Sequence, residues 1–228
     1  MKKILLSLSI VLLSFLSFGQ DIENELERVS ATFGVYNCKV ENGTVSLQKI
    51  VEVPGMTSQQ LYGVAKGFVI SSYNSPNTVI QEDDPVNGHL IVKGLFGSST
   101  CGCSDFVFTG SAMEYTASHI IKFDVKEGRV RITVTVTTVK QKSGGTQYSP
   151  LQYTDYRVTQ LYPLSRDLDV YSVNHAFNWY PKEGSKKQIQ GFVHEGNVLL
   201  GIVSDMSKLL YAAENAMVGG GQTEEDNW

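Results

Sequence analysis

The sequence has little cysteine: three residues in 228, at Cys38, Cys101 and Cys103. An odd number leaves at least one thiol free or paired between chains, and the connectivity of the others stays open. The Cys101-Gly102-Cys103 step lacks both the CxxC spacing and the further Cys or His ligands of a closed tetrahedral centre, so neither a metal nor another cofactor is expected. Reactive-thiol chemistry finds no support either, because Thr100, Gly102 and Ser104 place no cation beside the pair.

Positive charge is also scarce. Nineteen Lys and Arg face 23 Asp and Glu, for a net charge of −4, and no basic stripe is interleaved with aromatics. Nucleic-acid binding draws on counterion release by Lys and Arg, so no nucleic-acid partner is expected. Catalytic signatures are missing in turn. There is no GxSxG elbow, and His194-Glu195 opens an HExxH pattern in which Val198 stands where the second histidine belongs. Gly219 to Gly221 follow a helical pattern instead of leading from a strand into a helix, so they cannot form a phosphate loop. His89 and His119 each fall in a strand pattern where a carboxylate partner would make a general acid/base pair, and the sequence names no such partner.

No apolar run is long enough to span a bilayer, which takes ~20 residues. The run from Ile4 to Phe18 is broken by serines and preceded by Lys2 and Lys3, and Ser17 and Gly19 at its end offer a small-residue cleavage site. Residues 1–19 therefore read as a cleavable secretory signal peptide, leaving a mature chain from near Gln20 that is secreted or periplasmic and keeps no membrane anchor. The first cysteine lies far beyond the cleavage point, so lipid attachment is not expected.

What is present is periodicity. Ile22, Leu26, Val29 and Phe33 share one face of a short helix in an N-terminal extension, residues 20–43. Thr44 to Val53 is β-branched and stops at Pro54-Gly55, the mark of a strand and turn. Thr57 and Gln60 form a capping box ahead of Leu61, Val64, Ala65, Phe68 and Val69, which predicts a helix over 58–73. Strands follow at Thr78–Glu82, His89–Phe96, Tyr115–Val125 and Arg129–Val139, the last alternating Val130, Ile132, Val134 and Val136 with Arg131, Thr133 and Thr135. Residues 143–185 are aromatic-rich, with one further strand at Tyr156–Leu161. A core-facing helix over 186–217 carries Val198, Leu199, Ile202, Val203, Met206, Leu209, Leu210 and Ala213, and residues 218–228 form a disordered tail.

This order predicts one α+β domain over 44–217, a two-layer antiparallel sheet with helices on one face. The same order, with KIVEVPGMTSQQLYGVAKGFV at 49–69 and HIIKFDVKEGRVRITVTV at 119–136, resembles a family of secreted Bacteroidota domains of unknown function with a TATA-binding-protein-like fold. The resemblance covers residues 44–142. It implies that fold and an envelope or extracellular setting, and it carries over no catalytic or binding residue.

The functional expectation is a non-enzymatic binding module, its ligand held between the sheet and the C-terminal helix. Tyr153, Tyr156, Tyr171, Phe177, Trp179 and Tyr180 supply amphipathic rings for stacking on a carbohydrate or lining a site for a small apolar ligand. An envelope protein is the other expected partner. A hydrolase with a dispersed His/carboxylate site and an envelope assembly or structural protein are the alternatives.

Overall fold

A computed structural model describes residues 34–41, 43–97, 114–143, 150–158 and 186–220, with Asn24, Glu27, Arg28 and Ala31 ahead of them; Ser143, Tyr156 and residues 186–197 are described by their backbone. Asn24, Glu27, Arg28, Ala31 and residues 34–36 are helical. The elements then run β1 (Lys39–Glu41), β2 (Thr44–Glu52), α1 (Ser58–Ser72), α2 (Pro76–Val79), β3 (Ile80–Asp84), β4 (His89–Phe96), β5 (Glu114–Lys126), β6 (Arg129–Ser143), β7 (Gln152–Arg157) and α3 (Lys186–Gly220). All seven strands join one antiparallel sheet in the order β1-β2-β6-β5-β4-β3. The long strand β6 holds β2 along its first half and β7 along its second.

Alternation decides which side chains meet the helices. Leu90 and Val92, Ile121 and Phe123, Val130 to Val136 by twos, and Val45 and Leu47 are buried on one face. Helix α1 lays Leu61, Ala65 and Val69 on β4 and β5, while α3 lays Val198, Leu199, Ile202, Val203 and Met206 on β6 and β2. Each large member contributes roughly 1.5 to 3 kcal/mol.

Several polar ties fix the helices. Thr57 Oγ1 accepts from Gln60 N, and Thr57 N donates to Gln60 Oε1, the capping box expected from sequence. Tyr62 Oη donates to Asp83 Oδ1 at 2.7 Å and Lys66 Nζ reaches Oδ2 at 2.7 Å, pinning α1 to β3. Lys66, then Tyr62, hold the Asp83 carboxyl below its ordinary range. Lys49 of β2 pairs with Glu214 of α3.

Several boundaries differ from expectation, four elements most clearly. Thr78 and Val79 are helical, because Pro76 at the first turn starts α2, and the strand begins at Ile80 instead. β6 runs to Ser143, past Val139: an extra residue at Thr137 lets both Val136 and Val139 face the helices, a bulge that resets the alternation. β7 begins at Gln152 and ends at Arg157, ahead of the expected 156–161. Helix α3 continues beyond residue 217 through Val218 to Gly220, where a Cβ would stand 2.6 Å from a Val64 methyl, so that glycine is a packing position and not part of a free tail.

Candidate functional site

The opposite face of the sheet carries the other half of every strand. Nothing among the described residues covers its middle: Ile120, in the central strand β5, is 40 % exposed, and Leu95 on β4 is 67 % exposed. Lys93 lies in register with Ile120, Ile91 with Lys122 and Leu95 with Ser118, so Ile91, Ile120 and Leu95 form a bent apolar strip around Lys93, with Lys122 beside Ile91 and Ile120. On β4, β5 and β6 this face presents Lys93, Lys122, Lys126, Arg129, Arg131, Lys140 and Lys142 against only Glu114 and Asp124. Acids return on the flanking strands, as Glu52, Glu82, Asp84 and Asp155. A chain that is acidic overall thus gathers cations at the centre of one surface.

The most organised part of that surface is the carboxylate of Asp124, which is only 9 % exposed. Register places His89 on one side of it and Arg131 on the other. His89 Nδ1 donates to Oδ1 at 2.8 Å, Lys122 Nζ lies 2.9 Å from the same oxygen, and Arg131 donates to Oδ2 through Nε at 3.0 Å and Nη2 at 2.8 Å. Burial works to raise the carboxyl, and the bonds from Lys122, Arg131 and His89 overcome it and hold the group below its ordinary range. The imidazole thereby presents Nε2 outward, the arrangement of an Asp-oriented histidine base.

His119 lies on the helix-covered face and has the contrary environment. It is 3 % exposed, stacks on Phe96 with centroids 4.1 Å apart, and shares a 2.9 Å hydrogen bond between Nε2 and Tyr73 Oη. Gly94, directly across from it, makes the room: a Cβ there would stand 2.6 Å from His119 Nε2 and 2.7 Å from Tyr73 Cε1. Nδ1 has no hydrogen-bond partner among the described residues. Burial pushes the imidazole down to about 4 and the Tyr73 hydroxyl up to about 12, so both are neutral near pH 7.

The residues predicted from sequence fare unequally. Tyr153 is exposed on β7 in register with Lys142, and the backbone of Tyr156 is in register with Val139. Tyr171, Phe177, Trp179 and Tyr180 lie outside the described residues, as do Cys101 and Cys103 and the leader at 1–19. Cys38 is a half-buried free thiol among the described residues, pushed up to about 11 by burial. The expected ligand space under the C-terminal helix is occupied by its own side chains, since Val198, Leu199, Ile202, Val203 and Met206 are fully buried there. Among the described residues no group of His, Cys, Asp and Glu could hold a metal ion, and no helix is long and apolar enough to cross a membrane. Sequence reasoning singled out His89 and His119 and missed Asp124, Lys122, Arg131 and Tyr73.

Residues 48–140 match the model of a family described as a domain of unknown function, DUF4468, with a TBP-like fold. The two-layer antiparallel architecture is therefore the TBP-like one that the sequence resemblance implied. No curated protein matches. Among solved structures, a DUF4468 family protein from Bacteroides ovatus is similar at 15 % identity and a TM-score of 0.46, over 78 % of this chain and 90 % of that one. A TBP-like protein from Parabacteroides distasonis is similar at 10 % identity and a TM-score of 0.45, over 78 % and 97 %.

Proposed function

We propose that this chain, whose residues 48–140 match a family without an assigned activity, is a secreted or periplasmic binding module that is not an enzyme and that takes its partner on the open face of the sheet. The observation that carries this reading is Ile120, an apolar side chain at the centre of a seven-stranded sheet and 40 % exposed beside Leu95 and two lysines. Exposed apolar strips rimmed by polar groups mark interaction surfaces. A small apolar ligand prefers a concavity, so an extended partner, an envelope protein or a polysaccharide, suits a sheet face better. The test is mass spectrometry of material that copurifies with the native protein from its own envelope fraction, repeated with Ile120→Asp and with Ile70→Asp, a control on an exposed site of α1. Loss of the material from the first variant alone is expected. Retention by both would overturn the reading, and an N-terminus at Met1 in the purified protein would overturn its export.

A hydrolytic reading has one specific support, the His89–Asp124 pair with its outward Nε2. It requires hydrolysis of a model ester or amide that His89→Asn removes.

A further inference from the structure

We infer that Asp124 organises Lys122, Arg131 and His89 into a receptor for a phosphate-type oxyanion on the open face. This rests on the binding reading above for its surface, and on separate geometry for its chemistry.

One carboxylate carries one negative charge, yet two permanent cations and an imidazole converge on Asp124. None of the three donors is used up. Arg131 meets Oδ2 side-on through Nε and Nη2, which leaves the end of its guanidinium fork open. Lys122 spends one ammonium hydrogen of three on Oδ1. His89 spends Nδ1 on Oδ1 and keeps Nε2 for solvent. All three side chains are about half exposed, whereas the carboxylate between them is not. The result is a fan of outward donors whose orientation is set from beneath.

The nearest other acid does not cancel the surplus. Asp84 stands across from His89, but its carboxylate is turned into its own loop, where it accepts from Val86 N, Asn87 N and Asn87 Nδ2. Lys93 adds a further cation on the same face with no acid partner among the described residues. A tetrahedral dianion satisfies such a fan better than a monovalent ion, because it offers several acceptor oxygens and a charge that matches the excess. The phosphate could belong to a lipid headgroup or to a soluble species, and the apolar strip of Ile91, Ile120 and Leu95 begins beside the cluster.

The experiment is a titration of the full-length protein with inorganic phosphate, followed by backbone amide chemical shifts, against chloride at matched ionic strength. Saturable shifts centred on His89, Lys122 and Arg131 are expected, weakened by about tenfold in Arg131→Gln and unchanged in Lys142→Gln, whose lysine pairs with Glu114 on another row. If Arg131→Gln fails to fold, Lys122→Gln reads the same site. Shifts equal in chloride, or indifferent to both variants, would overturn the proposal. Sedimentation with phosphatidylglycerol vesicles and not phosphatidylcholine vesicles assigns the phosphate to a lipid; saturation by inorganic phosphate without sedimentation assigns it to a soluble ligand. If phosphate does not bind while Ile120-dependent copurification persists, only this inference falls. If phosphate binds and Ile120 proves indifferent, the oxyanion site stands and the apolar strip loses its role.

Discussion

Ile120 and Ile121 are neighbours in one strand and live in different solvents. The first is 40 % exposed among lysines and hydroxyls, and the second is fully buried beneath α1. The two histidines repeat the contrast. His89 stands on the open face, bonded to a carboxylate and keeping a free nitrogen in water, while His119 on the covered face is dry, stacked and short of a partner for Nδ1 among the described residues. One face is specified by packing and carries charge only in pairs that tie the helices to it, Lys49 with Glu214 and Lys66 with Asp83. The other is held only by alternation, which leaves its side chains free to be chosen for what they meet outside. The largest test of the difference is a single substitution made twice. Ile121→Asp forces an unpaired carboxylate into the core and should cost about 4 kcal/mol or more, enough to abolish a cooperative denaturation curve. Ile120→Asp should lower stability by less than about 1 kcal/mol. Equal losses in chemical denaturation would show that the open face is covered in solution.

A smaller effect separates the histidines by pH. In the folded chain burial holds His119 at about 4, against an ordinary value of 6.5. Between those values the unfolded chain takes up a proton that the folded chain refuses. The stability that depends on neutral His119 is therefore complete above about pH 6.5 and declines as pH falls toward 4, by about 3 kcal/mol in all. The carboxyls of Asp83, Asp84 and Asp124, all held low, act in a lower window, because their contribution begins to fail only as pH drops below about 3.8. Urea denaturation at a series of pH values should thus slope between 6.5 and 4 in the native chain and lose most of that slope in His119→Phe. An unchanged slope would mean that the imidazole is reached by water.

How much of this was legible depended on turns. The β5–β6 hairpin turns on Glu127 and Gly128 alone, with Gly128 at φ 68°, so counting outward from that turn along the sequence pairs Lys126 with Arg129 and Asp124 with Arg131. The pairing of His89 with Asp124 could not be counted, because β4 ends at Phe96 and β5 begins at Glu114, too far apart in sequence for a tight turn to set the register. Tyr73 and His119 meet through a helix end laid over a sheet, a relation that no spacing encodes. β3 was displaced because its IQEDD sequence has weak strand preference and is recruited by pairing with β4. The bulge did leave a trace, since alternation breaks at Thr137-Thr138 and resumes in opposite phase at Val139.

The finest comparison asks how closely the covered side is filled, using two glycines that a methyl group would treat differently. At Gly94 an added Cβ would stand 2.6 to 2.7 Å from ring atoms of His119 and Tyr73. Those rings are fixed by the stack on Phe96 and by their mutual hydrogen bond, so they cannot retreat without giving up one or the other. Gly94→Ala should cost about 1 to 3 kcal/mol, the ordinary penalty of overpacking. At Gly67, on the exposed side of α1, nothing lies within 4 Å of the same methyl. There the substitution only removes the backbone freedom that glycine loses in a helix, and Gly67→Ala should stabilise by up to about 1 kcal/mol. Thermal midpoints of the two variants should therefore move in opposite directions. If Gly94→Ala is also neutral or stabilising, the imidazole has room to shift, and the fall in stability toward pH 4 should shrink with it, because a ring that can move can also find water for Nδ1.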